Sequence, residues 1–182
     1  MNSTMTSRTV FSPARWLPWV MAAGAFWLSS SLLLDLVIMP VMYTSGMMAE
    51  PGFAPAGYSL FWTFNRLELV CAAVILTGVL ALRQPPSEFD VLTHGSRSRW
   101  ALGIGLLLLT STLVCTYGLT PEMGALGASL DIFAETPATP VAMDWLHGAY
   151  WSLEALKLAG LGLLTVLCYR DMSREKGAGA IS

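Results

Sequence analysis

The chain has 182 residues, of which 54% are hydrophobic and only 12% charged, with a formal net charge of −2. A soluble domain carries about 25% charged residues, so this composition excludes an ordinary soluble globule and places the chain in the membrane class. No basic run is present, which argues against a nucleic-acid partner.

A spanning helix needs about 20 mostly apolar residues, and four stretches qualify. The first is 16–43, "WLPWVMAAGAFWLSSSLLLDLVIMPVMY". Its basic approach and "MAAGA" resemble a signal peptide, but the apolar run continues some 18 residues further. That exceeds an h-region of about 7–15 residues, so the segment is expected to remain as a span. Within it Ser31 and Asp35 share a helical face, and Pro40 frees the carbonyl of Leu36, which predicts a kink. "SGMMAEPGFAPAG" then reads as a Gly/Pro turn region.

The second span, 58–82, carries Asn65, Arg66 and Glu68. The linker "RQPPSEFDVLTHGSRSR" reads as irregular, with His94 a surface histidine. The third span, 100–119, has only Thr and Ser as polar residues and reads as a packing helix. After it, Thr120 suits an N-cap, Pro121 the first helical position and Glu122 the positive helix end. Met123, Leu126, Leu130 and Phe133 follow on one face at helical spacing. This predicts a short amphipathic helix lying over the bundle or at the outer interface. "AETPATPVAMD" is a Pro-rich return to the fourth span, 145–169. The reading is a single integral membrane domain over 1–182. Its fold is an all-α, four-helix transmembrane bundle with a short amphipathic helix in the second outer loop.

Charge gives the direction. Arg8, Arg15, Arg83, Arg97, Arg99, Arg170, Arg174 and Lys176 all flank one side of these spans, whereas the linkers 46–57 and 120–144 contain no Lys or Arg. The positive-inside rule then predicts cytoplasmic termini. Trp16, Trp19, Trp100 and Tyr169 mark the inner interface, and Tyr43, Tyr58, Tyr117 and Trp145 the outer one, as headgroup-level rings do.

Ionisable residues inside a bilayer cost roughly 3 kcal/mol each on insertion scales. Five occur at spanning depth: Asp35, Arg66, Glu68, Glu154 and Lys157. Asn65 joins them, and His147 lies nearer the surface. At 1.5 Å per residue most of these side chains fall ~10–18 Å below the outer surface, so three helices place charge in one layer. His147, Tyr150, Trp151, Glu154, Lys157 and Leu158 form one stripe on the fourth span. That stripe should face the interior, towards Asp35 and towards Asn65, Arg66 or Glu68. Arg66 and Glu68 point nearly opposite ways and address different neighbours. One reading is structural: Glu154 pairs with Lys157, Asp35 with Arg66, and the charges only lock the bundle. The other notes that three acids face two bases, which leaves a carboxyl to take a proton or a cation.

His147 has three readings: an interfacial histidine bonded to the outer loop, a proton-handling group at the mouth of the layer, or a haem or metal ligand. Met39, Met42, Met47, Met48, Met123 and Met143 cluster outside, and thioethers suit Cu(I), but their spacing matches no motif. Cys71, Cys115 and Cys168 suit buried small hydrophobes. No phosphate loop, dinucleotide fingerprint, nucleophile elbow or paired-Cys metal site occurs, so the reading leans away from an enzyme.

The stretches "LLLDLVIMPVMY", "LFWTFNRLELV" and "DWLHGAYWSLEALKLAGLGLL" resemble a family of four-helix membrane domains of unknown function. It groups bacterial proteins with transmembrane-protein-205-like proteins. The resemblance covers roughly residues 20–170, and His147 is the position that matches best. Glu154 paired with Lys157 departs from the family pattern. More distantly the layout is similar to copper-resistance D-like and to haem-binding protoporphyrinogen-oxidase-like membrane proteins, which implies haem or copper by analogy alone. Together with the charge bias, the resemblance implies an integral protein of a bacterial inner (plasma) membrane. The leading function is a non-enzymatic bundle in contact with the lipid bilayer, whose polar layer handles a proton, ion or small ligand. Asp35, Glu68 and Glu154 would be its acids, Arg66 and Lys157 the counter-charges and His147 the mouth, with Asn65 among them. The alternatives are a haem-binding redox or haem-handling protein using His147, and an assembly module with purely structural charges. So small a bundle leaves little room for a substrate, so a homodimer or a membrane-complex partner is a further expectation.

Overall fold

The computed structural model describes residues 16–47, 50, 52–82, 96–128 and 141–179. Apart from the turn residues around Gly46 and Gly52, these residues are helical. Helix α1 (Trp16–Leu33) runs through a π-helical turn (Leu34–Ile38) into α2 (Met39–Thr44). Helix α3 is Phe53–Leu82. Helix α4 (Ser96–Val114) runs through a second π turn (Cys115–Leu119) into α5 (Thr120–Ala128), and α6 is Val141–Gly179. They make four spans: Trp16–Thr44, Phe53–Leu82, Arg99–Gly127 and Val141–Arg170. Each is long and apolar enough to cross a membrane. The chain is a polytopic membrane protein. In hydrocarbon a backbone must satisfy its own hydrogen bonds, and a continuous helix does so within one segment.

The spans form an up-down-up-down ring. α1 packs on α3 and α6, and α4 packs on α3 and α6; among the described residues the diagonal pairs α1/α4 and α3/α6 do not approach at the backbone. The antiparallel register of the first two spans shows in two contacts: Val20 faces Gly78, and Trp27 faces Glu68. At Gly78 an added Cβ would lie 2.2 Å from Val20 Cγ2. Small residues at such crossings let backbones approach closely.

The interior has two halves. Val20, Trp27, Ala72, Ile75, Val79, Ile104, Leu108, Leu161 and Leu164 fill one, close-packed and apolar. The other, towards the turn at Gly46, holds the polar side chains. Large apolar residues such as Leu36, Val70, Leu106 and Leu163 cover the outside, the face a lipid bilayer contacts. Exposed rings crown both ends: Trp19, Trp100 and Tyr169 at one, Tyr43, Tyr58, Tyr117 and Trp145 at the other.

The ends differ from the expected ones, and proline explains two of the differences. The second span begins at Phe53, so the turn is shorter than the Gly/Pro composition implies. Pro55 falls in the first helical turn, where a missing N–H costs little. Gly46, at φ 75°, closes α2 in the left-handed conformation that glycine adopts freely. The short helix expected in the second outer loop is present as α5, but it continues α4 without a break. Thr120 is thus not an N-cap; it is helical, buried, and donates its N–H to the Cys115 carbonyl. Pro40 and Pro121 each sit two residues after a π turn. A proline in a helix clashes with the carbonyl four residues before it, and the widened turn relieves that clash without ending the helix. His94, Met48, Leu130 and Phe133, and the segment with Arg8 and Arg15, lie outside the described residues.

Candidate functional site

The polar half is built from all four spans. On α6 the buried side chains are Met143, Tyr150, Glu154, Lys157, Leu161, Leu164 and Cys168, the alternating three- and four-residue spacing of a helix with one inward stripe. Glu154 and Lys157 therefore face inward because of where they stand in the repeat. On the first span, Trp27 and Ser31 of α1 and Asp35 of the π turn follow at intervals of four and lie on one buried face. On α3 the inward positions are Asn65, Glu68, Cys71, Ala72 and Ile75.

Lys157 is the centre. It is 0% exposed, and its Nζ donates to Glu68 Oε2 and to Glu154 Oε1 at 2.5 Å each. The Glu68 bridge joins α3 to α6, the diagonal pair, so it crosses the middle of the ring. Glu68 Oε1 accepts from Trp27 Nε1 at 2.7 Å and from Ser31 Oγ at 3.4 Å. Both Glu68 oxygens are thus engaged. Lys157 Nζ also lies 5.9 Å from the Tyr150 ring centroid.

A second network lies nearer the Gly46 end. Tyr150 donates its hydroxyl to Asn65 Oδ1 at 2.9 Å, and Asn65 Nδ2 donates to Thr120 Oγ1 at 2.7 Å. It ties spans two, three and four together. Phe61 meets the Tyr150 ring edge-on at 5.5 Å. Span three adds a buried stripe, Thr112, Thr116 and Thr120, with Cys115 beside it. Thr112 and Thr116 donate back to the carbonyls of Leu108 and Thr112.

Among the described residues, two buried carboxylate oxygens have no partner. Asp35 Oδ2 and Glu154 Oε2 are buried without a hydrogen bond, and their side chains are 6% and 3% exposed. Asp35 is within electrostatic range of both Glu154 and Lys157. Three carboxyls share this interior with one ammonium. If all were ionised the cluster would carry an excess of two negative charges. An isolated buried charge is costly enough that it is normally neutralised. The arrangement therefore has the capacity to hold positive charge.

Of the residues singled out in the sequence, Asp35, Asn65, Glu68, Glu154 and Lys157 are gathered in the interior. Arg66 is not: it is exposed on the outer face of α3, with its guanidinium carbon 3.4 Å from the Trp62 ring centroid. It does not pair with Asp35. His147 occupies the inward repeat of α6, but so close to the helix start that it is exposed, and its Nδ1 lies 3.0 Å from the Met143 carbonyl oxygen. Trp151, assigned to the inward stripe, is exposed. Met143 is buried and Met47 exposed, so the outer methionines do not share one interior site. Among the described residues, no three His, Cys, Asp or Glu side chains converge as metal ligands. The three cysteines are buried and none is in a disulfide. A groove on α6, lined by Val141, Asp144, Trp145, Gly148, Ala149 and Ser152, includes none of the interior polar residues.

Trp27 and the threonine stripe were missed as site residues. Trp27 reads as an apolar letter, yet its spacing of four from Ser31 and eight from Asp35 marks the face it shares with them. The stripe was legible as threonines at intervals of four.

Compared with models of protein families, with curated proteins and with solved structures, the chain finds no match.

Proposed function

We propose that this membrane protein takes up and releases a proton or a small monovalent cation at the carboxyls of Asp35 and Glu154, with Lys157 and Glu68 as the fixed ionic scaffold beside them. One observation carries the reading: two buried carboxylate oxygens without a partner, on side chains next to an ammonium already shared by two acids. Ionisable groups inside a membrane are candidates for such pathways. Two unsatisfied acceptors in an apolar bundle are groups for which a proton or a cation supplies the missing contact. With both termini in the cytoplasm, as the basic linkers imply, the cluster lies under the outer leaflet. Asn65, Tyr150 and Thr120 then stand between it and that surface, a hydrogen-bonded polar path in which the Tyr150 hydroxyl can pass a proton.

The test is flux in proteoliposomes containing the full chain and an entrapped pH-sensitive dye, with a potassium gradient and valinomycin setting the potential. Wild type should acidify the lumen, and Glu154→Gln and Asp35→Asn should each cut that rate by about tenfold or more while the protein still inserts and folds. Vesicles with an entrapped sodium-sensitive dye and a sodium gradient alone separate a cation from a proton. Equal rates in wild type and both variants, for protons and for sodium, would remove this function.

A second reading, in which the charges only fix helix packing, is favoured by one observation: Glu68 has both oxygens bonded, to Trp27, Ser31 and Lys157. With the bond from Lys157 to Glu154 Oε1, that set accounts for Glu68 and for one oxygen of Glu154. It leaves Asp35 Oδ2 and Glu154 Oε2 without a role, which is why the first reading leads.

A further inference from the structure

Arg66 is at odds with the rest of the molecule. Asn65 and Glu68 on α3 turn inward, yet Arg66, the charged residue between them, is exposed on an outer surface that is mainly apolar, with Leu67 and Val70 beside it. It stands eight residues beyond Tyr58, or about 12 Å along the helix axis at 1.5 Å per residue. Among the described residues no carboxylate lies within salt-bridge distance of it, since the ion pairs there belong to Lys157. A guanidinium facing hydrocarbon with no counter-charge is among the costliest placements available.

The geometry shows where it goes instead. Helical side chains lean towards the N-terminus of their helix, which for α3 is the Gly46 end. One turn in that direction is Trp62, over whose ring the guanidinium lies at 3.4 Å. One turn further is Tyr58, and both rings are partly exposed. Tyr58, Trp62 and Arg66 thus form a ladder at intervals of four that climbs from the apolar belt to the ring of tyrosines at the bundle's end. The Trp62 ring covers one side of the guanidinium, while its N–H edges stay open. The sequence offers no Lys or Arg in 46–57 or 120–144, and Lys157 is buried. At this end of the bundle Arg66 is therefore the cation that the described residues present to the membrane.

We infer that Arg66, held by Trp62 and flanked by Tyr58, is a binding site for the phosphate of a membrane lipid in the leaflet at the Gly46 end. The chemistry is that of a phosphodiester. A planar guanidinium offers two parallel N–H donors to two phosphate oxygens, a match that an ammonium does not make. Depth selects a lipid over a soluble anion, because the guanidinium lies below the headgroup plane and a lipid phosphate can be drawn towards it while its acyl chains lie along Leu67 and Val70, both exposed on α3. The site is independent of the interior cluster, since Arg66 faces away from it.

The experiment is native mass spectrometry of the full chain released from mild detergent, titrated with dioleoyl phosphatidylglycerol. Wild type should retain one lipid with an affinity about tenfold or more above that of Arg66→Gln, as loss of a charge-assisted bond requires. Arg66→Lys should fall between them, and Trp62→Leu should weaken binding with the arginine intact. Thiol accessibility of the buried cysteines, run alongside, shows that each variant is folded. Equal retention by wild type and Arg66→Gln would overturn the assignment. Displacement of the lipid by millimolar inorganic phosphate would overturn it in favour of a soluble anion. A dimer that depends on Arg66 and carries no lipid would overturn it in favour of a second copy of the chain.

Discussion

Replacing Lys157 by methionine tests the core of the structure directly. Methionine keeps most of the length and removes the charge. Lys157 is 0% exposed and makes two bonds of 2.5 Å to carboxylates. Hydrogen bonds to charged groups are worth ~1.5–3 kcal/mol each, so the two together give ~3–6 kcal/mol. That agrees with the ~3–5 kcal/mol seen when one partner of a buried pair is removed and the other stays. For a chain of this size the loss corresponds to a fall in Tm on the order of 10 °C. The protein carries its own reporter. Cys71, Cys115 and Cys168 are buried thiols outside any disulfide, so a thiol-reactive fluorophore reads bundle opening as detergent-solubilised protein is heated. Adding Glu68→Gln to Lys157→Met should recover part of the loss, with a coupling of ~1–3 kcal/mol, because it removes a charge left stranded at the centre. A Lys157→Met variant that melts within about 1 °C of wild type, or a double variant whose losses simply add, would refute the assigned diagonal bridge.

Two further variants probe neighbouring features with the same thiol assay. Gly78→Ala should destabilise the bundle by ~1–3 kcal/mol, because its Cβ would stand 2.2 Å from a methyl of the stiff, branched Val20; Val20→Ala combined with it should restore most of the loss, and no loss would mean that the first two spans are further apart. Trp27→Phe keeps the ring packing but removes the 2.7 Å donor to Glu68, so it should cost ~1.5–3 kcal/mol, with a cost below ~0.5 kcal/mol showing that the indole does not serve the carboxylate.

The spans and the polar layer were legible in the sequence because both depend on simple regularities. Apolar length marks a span, and a fixed rise per residue lets depths on different helices be compared. The inward direction of Glu154 and Lys157 followed from helical spacing. Arg66 did not yield to the same argument, because a single polar residue cannot say which side of its helix is inside. The alternation of Asn65, Glu68, Cys71, Ala72 and Ile75 on α3 does say so, and it leaves Arg66 on the other side. Helix ends were the least legible feature. Pro55 and Pro121 read as breaks by the rules of water-soluble proteins, where a freed carbonyl can turn to solvent. At Pro121, inside the bundle, that option is missing, and the chain widened a turn and continued, whereas Pro55 falls in a first helical turn where its missing N–H costs little. Trp27 was hidden for another reason: its hydrogen-bonding value appears only when a carboxylate from another span is placed opposite its N–H.

The placement of the Glu68–Lys157 bridge has a mechanical consequence. Four rods joined side to side into a ring make a four-bar frame, and such a frame has one soft mode: it shears from a square towards a rhombus without breaking any side contact. A strut along a diagonal removes that mode. Here α3 and α6 do not touch at the backbone, so side chains brace the diagonal: the Glu68–Lys157 ion pair and, nearer the Gly46 end, the Tyr150–Asn65 hydrogen bond. A single proton delivered to Glu68 would take away the ionic part of this bracing without moving an atom of the backbone. The frame would then be held along that diagonal by weaker bonds alone, and would be softer about the residues that surround Asp35 and Glu154.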